Sequence, residues 1–181
     1  MRSVLGFVAA GVMLAGCSSE VPSPAERLEA STVAGETEEA GTITLSSEGL
    51  TAGGTKVIFS EERAKVEETL AAVLGDATDR QANGECGAGP MESTLFEGGL
   101  TANFQEGRFV GWFFDEANKS IALDGGITVG SSRKDVTAAP GYSAFEDSTL
   151  GEEFYVGDAI GGFLAEDAVS GLYSGTQCFF R

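Results

Sequence analysis

An internal repeat constrains this chain more strongly than any other feature of its sequence. Residues 59–66 (FSEERAKV) match residues 129–136 (VGSSRKDV) at an offset of 70. A second match, at an offset of 60, joins two apolar hairpins through these equivalent positions: Leu100 and Ile160, Phe104 and Leu164, Phe109 and Val169, Gly111 and Gly171, Trp112 and Leu172. Self-similarity at a fixed period is typical of a supersecondary unit that is used more than once. The sequence therefore predicts two similar units in tandem.

The first copy begins with the pattern of an amphipathic helix. Val66, Leu70 and Leu74 recur at a spacing that places them on one helical face. Ser60 is the predicted N-cap, and Gly75 is the predicted stop. An apolar hairpin follows this helix, which gives the first copy one helix and an antiparallel sheet.

The second copy repeats this order with a shorter helix. Residues 132–135 form a capping-box pattern, and the Pro-Gly pair at residues 140–141 ends the helix early. Apolar strands joined by short polar turns follow. The predicted fold class is therefore α+β, with two tandem helix-plus-antiparallel-sheet repeats at about residues 45–118 and 119–181.

The N-terminus carries an export pattern. Arg2 precedes an apolar run at residues 4–15, which is shorter than the roughly 20 residues that span a bilayer and fits the apolar core of a signal peptide. The run ends in Leu14-Ala15-Gly16-Cys17. This tetrapeptide resembles the lipobox of bacterial lipoproteins, in which the cysteine is diacylated and becomes the new N-terminus. An ordinary signal peptide with a chance cysteine is the alternative.

The lipobox resemblance implies a lipid-anchored protein of the bacterial cell envelope. Residues 1–16 are then the lipoprotein signal peptide, and Cys17 is the lipidation site that attaches the chain to a membrane. Ser18 follows the cysteine, which in this family favours the outer membrane, with the domain facing the periplasm. Residues 17–41 contain two prolines, several glutamates and no aromatic residue, so we predict a flexible acidic tether. The globular domain is predicted at residues 42–181.

Two cysteines remain once Cys17 is lipidated. Cys86 lies in the glycine-rich stretch NGECGAGP, and Cys178 lies in the last strand of the second copy. Exported proteins fold in an oxidising compartment, where an even number of cysteines favours disulfides. A nucleophilic cysteine usually needs a neighbouring base, most often histidine, and the chain has no histidine. We therefore predict a disulfide between Cys86 and Cys178. A reactive or redox-active thiol and two unpaired cysteines are the alternatives.

A helix followed by antiparallel strands, repeated in tandem and joined by a disulfide, resembles the fold of the β-lactamase inhibitory proteins. The same unit occurs in small lipoproteins of the outer-membrane assembly machinery. The resemblance covers about residues 45–181 and is carried by KVIFS (residues 56–60) and by the hairpins. The mature chain, with GECGAGP (residues 84–90) and GTQCFFR (residues 175–181), also resembles small bacterial lipoproteins of uncharacterised role. No inhibitor contact residue matches this sequence position by position.

The charge of the chain argues against one class of partner. The 28 acidic and 11 basic residues give a net charge of −17. Nucleic acids are bound through basic surfaces that neutralise phosphates, so we predict no nucleic-acid partner. A basic protein partner, of unknown identity, is compatible with this charge.

The sequence shows no arrangement of residues that indicates catalysis. The glycines of residues 125–130 do not have the spacing of a dinucleotide-binding loop. Three acidic pairs lack the pattern of a calcium loop and are predicted to be solvated turns: Glu146-Asp147, Glu152-Glu153 and Glu166-Asp167. We therefore predict no enzyme, no cofactor and no metal. An aldehyde (semialdehyde) dehydrogenase with Cys86 as nucleophile would need a dinucleotide fold and a general base, and neither is visible.

A candidate binding face lies on the strand at residues 109–114. This strand is apolar on both sides of its pleat, and Val110, Trp112 and Phe114 alternate onto one side. Helices of an α+β fold cover one sheet face, so the other face is either covered by loops or offered to a partner. Core packing is the favoured interpretation of these three residues, and a face that meets a protein partner is the alternative. The predicted function is a non-enzymatic envelope lipoprotein that binds a protein or organises the envelope. Inhibition of a secreted or periplasmic enzyme is the alternative function.

Overall fold

The computed structural model describes residues 41–179. The predicted signal peptide, the lipidation site Cys17 and the predicted tether up to residue 40 lie outside the described residues. Within the described range the chain forms two β-sheets and two helices. No helix in this range is long and apolar enough to cross a membrane.

The small sheet has four strands in the order β3-β2-β1-β8. Strands β1 to β3 form a meander of consecutive antiparallel strands, and β8 adds to β1 in parallel. The strands are β1 (Ile43–Ser46), β2 (Gly49–Ala52), β3 (Thr55–Ile58) and β8 (Ile121–Leu123). This sheet therefore draws mainly on the start of the first predicted repeat and takes β8 from the start of the second.

The large sheet has eight strands in the order β4-β5-β6-β7-β12-β11-β10-β9, and every pairing is antiparallel. The strands are β4 (Asp79–Asn83), β5 (Met91–Phe96), β6 (Leu100–Gln105), β7 (Arg108–Phe114), β9 (Tyr142–Phe145), β10 (Glu152–Val156), β11 (Ile160–Ala165) and β12 (Ala168–Gly175). The last strand of each half, β7 or β12, pairs with its counterpart at the centre. The two halves therefore form one continuous sheet.

The predicted α+β class of two helix-plus-antiparallel-sheet repeats is wrong, because the structure is mostly β. Strands account for 46 % of it and helices for 12 %. The helices are α1 (Arg63–Leu74) and α2 (Arg133–Thr137), and α2 has only five residues. Pro140 explains this short length, since proline lacks the N–H group that a helix interior requires. Most of the core is instead built by the two sheets.

The sequence offsets of 70 and 60 residues also relate two backbone hydrogen bonds that attach loops to the large sheet. The amide of Phe109 donates to the carbonyl of Glu61, and the amide of Val169 donates to that of Ser131, each at 2.9 Å. The two donors differ by 60 residues and the two acceptors by 70. The repetition therefore lies in the hairpins and their docking loops rather than in complete helix-plus-sheet units.

Each repeated hairpin also contains one β-bulge at the equivalent place. Phe104 pairs with Phe109 while Asn103 pairs with Gly111, so Val110 is the extra residue. The same shift occurs in β11 and β12 between Phe163 and Leu164. A bulge changes which residues share a face of the pleat. As a result Phe109 and Trp112, three positions apart, both point to the same side of the sheet.

The large sheet buries one side, here called its inner face, against the small sheet and the helices. The Trp112 indole donates to the carbonyl of Ser46 at 2.9 Å, and the Ser174 hydroxyl donates to the carbonyl of Ser47 at 3.3 Å. These bonds join the two sheets. Large core side chains are Trp112, Phe104, Phe109, Phe114, Phe154, Leu45, Leu50 and Leu172. The opposite side of the large sheet is called the outer face.

Candidate functional site

The outer face of the large sheet differs between its two halves. Strand residues alternate between the two faces, so the residues between core positions project outwards. On β4 to β6 the outward residues are mainly polar: Gln81, Ser93, Thr101, Asn103 and Gln105. On β7 and β9 to β12 they are mainly aromatic. This second half is the candidate functional site.

Six aromatic side chains make up this site, and we call it the aromatic face: Phe113, Phe145, Tyr155, Phe163, Tyr173 and Phe179. Tyr173 is 7 % exposed, and the other five are partly exposed. The ring of Phe179 lies edge-on to its neighbours, with its centroid 5.0 Å from that of Tyr173 and 5.6 Å from that of Phe163. Such edge-to-face contacts are favourable between aromatic rings.

Gly161 on β11 makes room for one of these rings. A Cβ atom at this position would lie 2.0 Å from Cζ of Tyr173, far inside van der Waals contact. The Tyr173 ring therefore lies across the backbone of β11, where any larger residue would displace it. The glycine fixes the direction of Tyr173 and with it the position of its hydroxyl group.

A buried carboxylate lies beneath the aromatic face. Glu153 on β10 is 1 % exposed, and its Oε1 accepts a hydrogen bond from the Tyr173 hydroxyl. The Tyr155 hydroxyl is 3.5 Å from that of Tyr173. Burial, followed by the bonds to Glu153 and Tyr155, raises the pKa of Tyr173. Tyr173 therefore stays protonated, and its hydroxyl donates to the carboxyl group of Glu153.

The acidic pairs of the sequence have different surroundings in the structure. Glu146-Asp147 and Glu166-Asp167 lie in exposed turns, as predicted. The prediction was wrong for Glu152-Glu153, which lies in strand β10. Glu152 pairs with Arg133 of α2, and Glu153 is buried. Among the described residues no cluster of three or more His, Cys, Asp or Glu side chains could hold a metal ion.

The structure does not bring the three candidate binding residues together on one exposed face. Trp112 and Phe114 are fully buried on the inner face, and Val110 is the partly buried extra residue of the bulge. Phe113 is the residue of this strand that joins the aromatic face. The alternation alone could not locate Phe113, because the bulge lies between it and the turn. The run of aromatic residues in strands β9 to β12 was the available signal for the site.

The structure brings Cys86 and Cys178 together as free thiols. Cys86 is 6 % exposed in the loop between β4 and β5. The Asn83 side-chain amide donates to Sγ of Cys178 at 3.2 Å. A hydrogen bond with Cys86, followed by burial, raises the pKa of the Cys178 thiol. The two sulfurs are therefore neighbours, and the bond between them stays a prediction.

Residues 176–179, here called the crossing segment, carry Cys178 over the outer face. The segment leaves β12 after Gly175 and ends with Phe179 among the rings of the aromatic face. It therefore links the cysteine pair to the aromatic face directly. No protein-family model, curated protein or solved structure matches the chain, so the case for its function depends on this outer face.

Proposed function

We propose that the chain is a non-enzymatic, lipid-anchored protein of the bacterial outer membrane that faces the periplasm, and that its aromatic face binds a basic protein partner.

 The single observation that carries this proposal is the half-exposed cluster of aromatic rings on one side of an eight-stranded sheet. The lipobox at residues 14–17 supports the anchor, and Ser18 supports the outer membrane facing the periplasm.

The composition of the aromatic face supports a protein partner. Tyrosine and phenylalanine are enriched at the centres of protein interfaces, where they bury a large area with few rotatable bonds. Contiguous apolar patches on a folded surface commonly mark interaction sites. Phe145 and Phe163 are partly exposed, and they lie on different strands of the same face.

The charge distribution supports a basic partner. The strands of the large sheet contain two basic residues, Arg80 and Arg108, and both pair with carboxylates on the helix side, those of Glu67 and Glu62. Arg108 lies opposite the outward Gln105 at the polar half of the sheet, whereas strands β9 to β12, which carry most of the aromatic face, contain no basic residue. The exposed pair at residues 146–147 directly follows Phe145 and adds negative charge beside the aromatic face. A partner with lysine or arginine around an apolar centre fits this pattern.

The burial of the Glu153 side chain supports a non-enzymatic role. Glu153 is 1 % exposed and accepts a hydrogen bond from the Tyr173 hydroxyl, so a substrate could not reach its carboxyl group without a change in the packing around it. Cys86 is 6 % exposed and lies beside a second thiol rather than a base, which gives no support to the dehydrogenase alternative. The chain also lacks histidine. An inhibitor of an envelope enzyme would use the same aromatic face, and identifying the partner decides between these two binding roles.

Site-specific photo-crosslinking in cells tests the proposal. A benzophenone amino acid at Phe145 should give a discrete adduct, because this side chain lies on the partly exposed edge of the aromatic face. The matched control is Ile58 on β3, which is 44 % exposed and belongs to the small sheet. Adducts that form equally at both positions, or at Ile58 alone, would overturn the proposed face.

The purified partner then tests the chemistry of binding. Phe163→Ala should weaken binding about tenfold, which is typical when an aromatic contact residue is truncated. Raising the salt concentration should lower the association rate, because long-range attraction between opposite charges is screened. An acidic partner whose association is insensitive to salt would contradict the charge argument.

A further inference from the structure

The crossing segment packs closely against the outer face of the large sheet. The amide of Thr176 donates to the carbonyl of Val110 at 2.8 Å. Gly111 lies directly below, and a Cβ atom there would be 2.5 Å from the Thr176 carbonyl oxygen. The segment can therefore lie this close to β7 only because residue 111 has no side chain.

Gln177 fixes the segment across three strands. Its side-chain amide donates to the carbonyl of Trp112 on β7 at 3.0 Å and to that of Ser174 on β12 at 2.8 Å. Its side-chain oxygen accepts from the side-chain amide of Asn103 on β6 at 3.0 Å. Asn103 is only 5 % exposed, so the segment satisfies a buried polar group of the sheet.

Phe179 then covers part of the aromatic face. Its ring contacts those of Phe113, Phe163 and Tyr173, with centroids between 5.0 and 6.1 Å apart. A partner that docks on Phe163 and Tyr173 would compete with Phe179 for the same rings. The crossing segment is therefore an internal occupant of the surface to which we assign binding.

Cys178 lies between Gln177 and Phe179, and its thiol contacts that of Cys86, which belongs to a distant part of the chain. Cys86 lies in the β4–β5 loop, and Gln105 holds that loop through a bond to the carbonyl of Ala88 at 2.9 Å. A covalent bond between the two sulfurs would tie the crossing segment to a loop that is itself fixed to β6.

We propose that the crossing segment is a redox-controlled cover of the aromatic face, which its hydrogen bonds and ring contacts hold in place, which a bond between Cys86 and Cys178 locks, and which opens more often when that bond is reduced. This inference rests on the proposed binding role of the aromatic face. In the closing step the two thiols lose two protons and two electrons to the disulfide of a thiol–disulfide oxidant. One sulfur–sulfur bond forms in the protein while one breaks in the oxidant, which leaves as a dithiol. The opening step is the reverse exchange, in which a dithiol reductant supplies two electrons and two protons and leaves as a disulfide.

Hydrogen exchange of the full chain carrying Cys17→Ser tests the cover without any partner. The Thr176 amide should exchange at least about tenfold faster after reduction than after oxidation with glutathione disulfide, because its bond to Val110 opens more often. The amide of Phe109 on β7 is the internal control. It donates to the carbonyl of Glu61, and its exchange should not change. Equal exchange of Thr176 in both states would overturn the cover.

Thiol titration and two variants complete the test. The oxidised chain should contain no free thiol, and two free thiols there would overturn the proposal. Cys178→Ser and Cys86→Ser should each behave like the reduced chain under oxidising conditions, while Gln81→Ala, on the same outer face and bonded to Asp79 rather than to the crossing segment, should keep the redox response. Protection of Thr176 in either cysteine variant, as strong as in the oxidised chain, would also overturn it.

Crosslinking separates this proposal from the proposed function. If binding occurs at Phe145 and is equal in the oxidised and reduced chains, the face binds and the redox-controlled cover is wrong. If reduction releases Thr176 and no adduct forms at Phe145 in either state, the cover is correct and the binding role fails. Both proposals hold if reduction increases the adduct at Phe145.

Discussion

Three side chains converge on one carboxylate at Glu67 of helix α1. Arg63 donates to Oε1 at 2.7 Å, Thr94 donates to the same oxygen at 2.6 Å, and Arg80 donates to Oε2 at 3.0 Å. Partial burial raises the pKa of Glu67, but these bonds outweigh it and lower the pKa to about 2. Glu67 therefore links α1 to β4 and β5 through one ionised group.

The stability of the protein should fall in acid because of Glu67. Its folded pKa of about 2 lies below the ordinary value of 4.5, so its stabilising effect is present above pH 4.5 and is lost as the pH falls towards 2. Because solvent screens this partly exposed group, the full effect is about 1–2 kcal/mol. Urea unfolding at pH 6 and pH 2.5 should show a smaller loss of unfolding free energy for Glu67→Gln than for the wild type.

Glu68→Gln is the matched control, since this exposed carboxylate is the next residue of the same helix. It should keep the pH dependence of the wild type. A Glu67→Gln protein with an unchanged pH dependence would show that the three bonds do not stabilise the fold.

The helices show which element boundaries can be predicted from sequence. The capping box of α2 is confirmed, because the Ser132 hydroxyl accepts from the Asp135 amide at 3.2 Å. The N-cap prediction for α1 was wrong: the cap is Glu62, and Ser60 lies in the preceding turn with φ 77°. A backbone bond from Ser60 to Phe109 of β7 holds that turn. Local sequence identifies an N-cap only where the residue is not held elsewhere by a backbone hydrogen bond to a distant strand.

The crossing segment gives a prediction for an element. Gly111→Ala should destabilise the fold by about 1–3 kcal/mol, since the added Cβ would overlap the backbone of Thr176 and Ser174. The Thr176 amide should also exchange faster than in the wild type. Gly84→Ala is the control, because a Cβ atom there meets nothing within 4 Å. Equal unfolding free energies for the two variants would contradict the close packing of the segment.

At the scale of the whole molecule, the sequence located the repeated hairpins but not their assembly. The offsets gave the equivalence of Phe109 and Val169, which the docking bonds reproduce. The mostly β class was missed because the small sheet depends on a parallel pairing between β1 and β8 that no local pattern encodes. The aromatic face was missed for a related reason, since the bulge at Val110 exists only once β6 and β7 are paired.

Membrane attachment is a prediction for the whole molecule. Cys17→Ala should leave the chain unlipidated and should remove it from the detergent phase in a phase-partitioning assay, because acyl chains supply about 0.8 kcal/mol per buried CH₂ group. Ser18→Ala is the control and should partition like the wild type. Identical partitioning of Cys17→Ala and the wild type would refute the lipobox interpretation.

The bond between Trp112 and Ser46 gives the molecule an optical reporter. Trp112 is the only tryptophan of the chain, it is fully buried, and its indole N–H joins the two sheets. Its fluorescence therefore depends on the environment at one place, the junction where the small sheet packs on the large one. Emission should shift to longer wavelength when water reaches this junction. A chain whose sheets separate before the large sheet melts would show that shift at a lower denaturant concentration than the loss of β-sheet circular dichroism.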